Sequence, residues 1–528
     1  MSDETLETVK SEQLRSSLSK PAQYSLALLS LLLLGCEPEP PPRPVGPAGG
    51  PPALRVSENG RFLVQVQRDG STTPFFWLGD TAWNLHRLNV EEIDRYLADR
   101  AARGFNVIQG PVLDWTGLED RRPLSSQNAF GHRAYIDRDA EPGLDADRPG
   151  EGFNDYFDQT DYIVRRAGEL GVYVAILPFW AQGINEVASG PQGLARLERI
   201  GTLLGSRYRE ATNVLWIVGG EAASESSPEA VHALASGLTA GHDGRHLMTV
   251  HPGGARSSSS GQWRAGGASG DYDYHVASWL DFNMLQSGHG RADRANYLLI
   301  EKDYGRTPTK PTFEGEYWYE GGYPDADGRV STAHDQRKGA YWSVFAGGFG
   351  YTYGADGIFQ IATGGQRWDE NDFPSAEPWH VAMGYAGATQ MIHLRDLMKS
   401  RPFLTRIPDQ SLILKGVGGS GEGASDHVQA TRDGAAGGGD ASYIMVYLPQ
   451  PGSVVIDTRA IGSGMLDAWW YDPRTGEATP NRRNFAQTGS FQADAPQGGP
   501  DWVLVIDDAK AGFAPPGGSG GEANTPPG

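Results

Sequence analysis

Residues 172–180 read VYVAILPFW, residues 193–210 read GLARLERIGTLLGSRYRE, and residues 213–221 read NVLWIVGGE. The first and third pieces are near-continuous apolar runs of strand length, as expected of strands covered on both faces. The piece between them reads as a helix, so the three form a strand–helix–strand crossover of a parallel sheet.

The alternation continues in both directions. Upstream, FFWLGDTAW (75–83) precedes the helix VEEIDRYLADRAARG (90–104), which places Ile93, Tyr96 and Leu97 on one face and closes on Gly104. FNVIQGPVLDW (105–115) is another buried-strand run, and YFDQTDYIVRRAGELG (156–171) another helix. Downstream, the helix EAVHALASGLTAG (229–241) leads to HLMTVHPGG (246–254), followed by FNMLQSGH (282–289), KPTFEGEYW (310–318) and GGFGYTYGADG (347–357). Eight candidate strands result: 75–80, 106–113, 172–180, 214–221, 247–251, 282–288, 311–317 and 348–353. Repeated alternation of this kind argues a (β/α)8 TIM barrel over residues 54–400. The rival, a doubly wound open sheet, lacks a glycine-rich nucleotide fingerprint after its first strand. RFLVQVQ (61–67) reads as an additional strand ahead of the barrel.

Beyond about residue 400 the helical period disappears. SYIMVYLP (442–449), GSVVIDT (452–458), MLDAWWYDPRTG (465–476), GSFQAD (489–494) and DWVLVID (501–507) are short strands separated by turns. They predict a small all-β sandwich over residues 401–510. The glycine-rich run at 416–440 is expected to be a mobile loop and residues 511–528 a disordered tail.

At the other end, SLALLSLLLLGC (25–36) is too short to span a bilayer and suits the apolar core of a signal peptide. Its Leu33-Leu34-Gly35-Cys36 ending resembles the bacterial lipobox, which would make residues 1–36 a lipoprotein leader and Cys36 the lipidation site. The proline-rich segment 37–53 then reads as a stiff tether. Asp3, Glu4, Glu7 and Glu12 are unusual for a positive leader; a start codon assigned too early accounts for them. The expectation is an exported bacterial envelope lipoprotein, periplasm-facing or on the cell surface, touching the membrane only through its lipid. Cys36 is the sole cysteine, so no intrachain disulfide can form. A net charge of −20 argues against a nucleic-acid partner or a basic membrane-binding face.

In a parallel barrel the active site forms where the strands end. The first candidate strand ends at Asp80, with Trp83 and His86 following; the second ends near Asp114 and Trp115, the third at Trp180. The fourth ends at Glu221, the fifth at His251 and the sixth at His289. The seventh ends at Glu316, with Tyr317 and Trp318, and the eighth at Tyr353 and Asp356. A polar or aromatic residue at the same end of every strand describes a carboxylate-containing, aromatic-walled pocket for a sugar. Glu221 and Glu316 supply the two carboxyl groups that glycoside hydrolysis needs, one protonated to donate to the leaving oxygen and one ionised. A retaining enzyme would hold them ~5–5.5 Å apart and an inverting one ~6.5–9.5 Å. Glu314 competes with Glu316, because residues two apart on a strand point to the same side. Glu314 lies deeper and suits a supporting hydrogen bond, while Glu320 belongs to the loop beyond.

FFWLGDTAWNL, NVLWIVGGE, PTFEGEYWYEG, GYTYGADGIF, AWWYDPRTG and DWVLVID together resemble the apiosidase-like glycoside hydrolases over about residues 54–508. That resemblance implies a (β/α)8 catalytic domain, a C-terminal sandwich named for collagen binding, and cleavage of bonds to apiose in complex pectin side chains. It places the nucleophile of a P-x-x-x-x-E-x-x-Y-E stretch on Glu316, with Tyr319 and Glu320 completing the match. The acid/base that follows W-x-x-G-G falls on Glu221, where relatives commonly carry Asp. The extra methylene alters the reach to the leaving group.

The alternative is a carbohydrate-binding or adhesion lipoprotein that keeps the barrel without turnover. His251 and His289 lie on neighbouring strands but lack an HxH or HExxH spacing, so they read as substrate hydrogen-bonders rather than metal ligands. The PDADG turn (324–328) lacks the remaining ligands of a calcium loop. No cofactor is implied, and the expected partner is a poly- or oligosaccharide.

Overall fold

The computed structural model describes residues 50–114, 126–135, 152–253, 257–258, 261–262, 273–364 and 377–518. Cys36, with all of residues 1–49, and Trp115 lie outside the described residues.

Eight parallel strands follow the expected order: Trp77–Thr81, Val107–Val112, Tyr173–Leu177, Val214–Ile217, Met248–Thr249, Asn283–Gln286, Thr312–Glu316 and Gly350–Tyr353. Each pairs with the next from the sixth through the eighth, round to the first, and on to the fifth. The fifth strand has only two residues and joins the sixth without a ladder. There Met248 N–H donates to Asp281 Oδ2 at 2.7 Å, and Thr249 Oγ1 donates to the Phe282 carbonyl at 2.8 Å. On the sixth strand's edge away from the seventh, Ser257–Ser258 pairs antiparallel as one arm of a hairpin with Gly261–Gln262.

Aromatic side chains fill the lower barrel, with Trp77, Phe282, Phe313 and Phe349 packed at centroid separations of 4.9–6.1 Å. Above them runs a buried polar layer. Trp77 Nε1 donates to Thr352 Oγ1, Thr352 Oγ1 to Gln109 Oε1, and Gln109 Nε2 to the Gly315 carbonyl. Each group in that chain has a partner, which makes it a rigid floor for whatever lies above. The outer helices begin where the sequence supplies caps. Asn89 and Glu92 form a reciprocal capping box on Val90–Ala102, and Asp155 and Asp158 do the same for Tyr156–Glu169. Before the barrel, Leu54–Val56, Leu63–Val66 and Thr72–Phe75 form a small antiparallel sheet, whose Phe75 packs edge-on against Tyr173 at the start of the third strand.

The C-terminal region is a sandwich of two antiparallel sheets. The six-stranded sheet runs Ile407–Pro408, Gln429–Arg432, Tyr443–Leu448, Trp502–Asp508, Met465–Tyr471, Ala478–Ala486. The three-stranded sheet contains Ile413–Lys415, Ser453–Asp457 and Ser490–Asp494. Val446, Val454, Ile456, Leu466, Leu504 and Ile506 face each other between the sheets.

Two expectations need correction here, and one strand goes beyond them. Residues 416–440 are not one loop, because Gln429–Arg432 is a buried strand within them. Ala478–Ala486 is a strand although most of its side chains are exposed, so no alternation betrays it. Residues 511–518 of the expected tail pack back on the domain, with the Arg401 guanidinium 4.6 Å over the Phe513 ring; the rest lies outside the described residues.

The sandwich is welded to the barrel. Arg337 bonds both oxygens of Asp501 at 2.9 and 2.7 Å, and Arg401 both oxygens of Asp507 at 2.9 and 2.8 Å. All four side chains are buried, and Tyr341 stacks on Tyr447 beside them at 4.8 Å. Breaking one partner of such a pair would leave an uncompensated buried charge, at a cost of ~3–5 kcal/mol.

Candidate active site

The seventh strand delivers its glutamates to different places. Leu285 pairs with Glu314, but Gln286 pairs with Glu316, so Gly315 is an extra residue that breaks the period. Glu314 and Glu316 therefore do not share a side, contrary to the two-residue rule. Glu314 is fully buried and accepts from Ser287 N–H and from Asn296 Nδ2, both at 3.2 Å. Asn296 opens the outer helix Asn296–Tyr304 and also donates to the Gly339 carbonyl of Ala333–Phe345, so Glu314 faces the helical layer. Burial pushes its carboxyl up to about 7. Glu320 caps another helix: it accepts from Tyr353 Oη at 2.6 Å and from Gly387 N–H at 3.0 Å, in the first turn of Ala386–Lys399.

Glu316 turns into the pocket instead. Its Oε2 accepts from His251 Nε2 at 2.9 Å, and its Oε1 from His289 Nε2 at 3.0 Å and Gln286 Nε2 at 2.9 Å. Tyr319 lies beside it, where the Glu316 charge acts on its hydroxyl, and Tyr319 Oη accepts from Trp83 Nε1 at 3.2 Å. Burial opposes ionisation of Glu316, yet the hydrogen bonds and charges of the two histidines overcome it and hold the carboxyl well below the usual range. His251 Nδ1 lies 2.6 Å from the Pro252 carbonyl. Both of its nitrogens thus face oxygens that can only accept, so the ring carries two protons and is a cation. Burial would depress that imidazolium; the Glu316 hydrogen bond and charge, with the charge of Glu221, raise it instead.

Glu221 reaches the same pocket from the fourth strand. The third and fourth strands are pinned at their tips by a bridge between Trp180 and Gly220, with Ala181 N–H donating to the Gly220 carbonyl at 2.8 Å. A Cβ at Gly220 would stand 2.0 Å from the Trp180 ring and one at Gly219 2.5 Å from Ile184, which explains the glycines of VGGE. Glu221 then adopts a left-handed φ of 50°, an unfavourable conformation for a residue with a Cβ and one that concentrates at functional sites. Its charge acts on both His251 and Tyr323.

The aromatic wall is Trp83, Trp180 and Tyr323. Trp83 meets Trp180 edge-on at 5.9 Å, and both rings contact His251. Tyr323 stacks on His289 at 4.2 Å and feels the charges of Glu316, Asp356 and Glu221, so it stands among all three carboxylates. It too has a left-handed φ, 47°, and its carbonyl accepts from Trp318 Nε1 at 2.7 Å.

The strand ends were thus only partly right as a guide. Glu221, Glu316, His251, His289, Trp83 and Trp180 converge, and Asp356 lies beside the Gly322–Tyr323 loop with burial pushing its carboxyl up to about 7. The histidines bond Glu316 rather than standing clear for substrate. Asp114 is buried against Gly183 near Trp180. Asp80 points away: its Oδ2 accepts from Tyr96 Oη at 2.6 Å and lies 3.5 Å from Arg100 Nη1, both on the helix Val90–Ala102. His86 is buried against Tyr156 and Ser126. Tyr317 lies under Gly339 of the outer helix, Trp318 braces the Tyr323 loop from behind, and Tyr353 serves Glu320. Gln286, Tyr319 and Tyr323 complete the site. Gln286 and Tyr319 fell within stretches already singled out, whereas nothing local in the sequence marks Tyr323. The PDADG segment is a plain turn in which Asp325 Oδ1 accepts from Asp327 and Arg329 N–H. Among the described residues, no group of three His, Cys, Asp or Glu has metal-holding geometry.

The family model "Apiosidase-like, catalytic domain" matches residues 57–405, and the model "Putative collagen-binding domain of a collagenase" matches residues 407–507. A solved structure described as a glycoside hydrolase is 32% identical, covering 87% of this chain and 97% of that one, with a TM-score of 0.72. A glycoside hydrolase family 5 structure from Bacteroides vulgatus ATCC 8482 is 30% identical, covering 87% and 94%, again with a TM-score of 0.72. No curated protein matches the chain. With a catalytic-domain model spanning most of its length and full-length structural relatives, the chain belongs to the apiosidase-like family and is a glycoside hydrolase.

Proposed function

We propose that the enzyme cleaves its glycosidic bond by a retaining mechanism, with Glu316 as nucleophile and Glu221 as acid/base. One observation carries this reading: Glu316 is kept ionised by three side-chain donors in a site where burial alone would protonate it. A buried carboxylate at the tip of the seventh strand is equipped to attack an anomeric carbon. In the first step a Glu316 oxygen bonds that carbon, the bond to the leaving oxygen breaks, and the Glu221 proton passes to the leaving oxygen. In the second, Glu221 takes a proton from water, the water oxygen bonds the anomeric carbon, and Glu316 is released. Cationic His251, within reach of both carboxylates, offsets their mutual repulsion when both are ionised.

The proposed substrate is a complex polysaccharide, with apiosyl bonds of pectin side chains as the leading candidate. Family membership supports the sugar, and the Trp83–Trp180–Tyr323 wall supports a stacked ring. Glu221 in place of the commoner Asp extends the acid by one methylene and shifts the proton donor relative to the leaving group. Lipidation at Cys36 would hold the enzyme at the envelope of its bacterium, on the strength of the LLGC motif and the tether after it.

The test is product analysis. Soluble protein beginning near Leu54, and its Glu316→Gln counterpart, are incubated with pectic, hemicellulosic and bacterial glycans, and released sugars are identified by chromatography. Apiose from the wild type alone is the expected result. Another sugar would replace the substrate proposal, and release by both proteins would remove Glu316 from the chemistry.

A further inference from the structure

His289 sits between Gly288 and Gly290, which have φ values of 97° and 72°. Glycine on both sides leaves the local backbone free to swing, so the position of this ring has to be imposed by contacts. One contact is the stack on Tyr323 and another is Arg294 Nη2, which donates to the His289 carbonyl at 3.4 Å. The segment carrying Arg294 is in turn gripped by the sandwich domain. Gly423 N–H donates to the Asp293 carbonyl and Ala295 N–H donates to Glu422 Oε1, both at 3.3 Å. Gly421 N–H donates to Tyr297 Oη at 2.7 Å, and His427 stacks on the Tyr297 ring at 3.9 Å with an 8° angle.

The gripping loop is itself shaped. Gly418, Gly421 and Gly423 have left-handed φ values of 71°, 84° and 93°. Gly419 N–H donates to Asp426 Oδ1 at 3.0 Å, and Val428 N–H to the Val417 carbonyl at 2.9 Å. Residues 417–428 thus form a closed loop that reaches across to the rim of the barrel.

We propose that this sandwich loop is a positioning device for the catalytic centre, with Glu422 as its principal residue: it fixes segment 291–297 so that His289 can hold the Glu316 carboxylate. The inference rests on the reading of Glu316 as nucleophile. It makes the C-terminal domain part of the catalytic apparatus rather than an appended binding module. Glu422 touches neither substrate nor reacting atoms and acts only through the segment bearing His289.

The experiment uses the full globular chain carrying Glu422→Ala, Glu422→Asp or Glu422→Gln. Amide hydrogen exchange is followed across residues 287–297, and kcat/KM is measured against pH. Alanine removes the acceptor for Ala295 N–H and aspartate withdraws it, so both should speed exchange in 287–297 while leaving the eight barrel strands unchanged. With His289 loosened, Glu316 ionises less readily, so the acidic limb of kcat/KM should move to higher pH and kcat should fall on the order of 10-fold. Glutamine, whose amide oxygen can still accept, should restore both readouts. Unchanged exchange in the alanine and aspartate variants overturns the proposal. Lower activity with an unmoved acidic limb does so as well, since that is a merely structural loss. Exchange needs no turnover, so it judges the grip of the loop even if Glu316→Gln retains activity and the nucleophile reading falls.

Discussion

Asp80 and Glu316 are both buried carboxylates at the C-terminal tips of neighbouring regions of one barrel, yet they ionise in opposite senses. Burial pushes Asp80 up to about 6, with the Arg100 charge and the Tyr96 hydroxyl only partly compensating. Arg100 spends its closest hydrogen bond on Asp99, leaving Asp80 a more distant partner. Glu316 suffers the same desolvation but collects three side-chain hydrogen bonds, one of them from a cation that no nearer anion claims. Depth in the protein therefore does not decide whether a carboxyl is ionised. The number and charge of the donors aimed at it do.

Variants can break or sharpen that contrast. The largest effect belongs to Glu316→Gln, an amide of the same shape that cannot attack: kcat should drop on the order of 10⁴-fold or more with the melting temperature nearly unchanged. Residual wild-type turnover would exclude Glu316 as nucleophile. Glu221→Gln comes next, slowing natural glycans by about 10²–10⁴-fold while largely sparing bond cleavage in aryl glycosides with good leaving groups. Equal slowing of both substrate types would contradict the acid role. His251→Asn removes the cation from beside Glu316. The Glu316 carboxyl should then rise, moving the acidic limb of kcat/KM upward by about one pH unit. An unmoved limb would show that His289 and Gln286 suffice.

Asp80→Asn should leave kcat/KM within about 2-fold, since Asp80 faces a helix, and act on stability instead. The raised pKa means that folded Asp80 holds a proton between its ordinary value of 3.8 and about 6. Its contribution is fully present below the unfolded value and lost as pH rises through about 6. Urea titrations at pH 4.5 and 7.5 should therefore show the wild type gaining on the order of 1–2 kcal/mol at the lower pH relative to the variant. A pH-independent difference would mean that Arg100 holds Asp80 ionised throughout. The smallest effect is reserved for Glu314→Gln. Its carboxyl is pushed up to about 7 and serves Asn296 and Ser287, so kcat/KM should change less than about 1.5-fold.

What the chain determined without its tertiary structure is the order of the barrel strands and the sandwich that follows; the expected ends at Trp180 and Glu221 lie past the strands, which stop at Leu177 and Ile217. Apolar runs, helical spacing and turn residues are local properties, and the strand order of a barrel is the chain order. Glu221 and Glu316 were legible for the same reason, as the residues at the tips of the fourth and seventh strands. Which tip residues face the pocket was decided only in three dimensions. Gly315 interrupts the alternation on the seventh strand, and nothing in PTFEGEYW shows whether that extra residue turns Glu314 or Glu316 inward. Asp80 looked like a pocket residue until Tyr96 and Arg100, 16 and 20 positions on, claimed it. The grip of residues 417–428 on the His289 segment joins parts of the chain more than 120 positions apart. Such contacts depend on packing between domains, which no local pattern encodes.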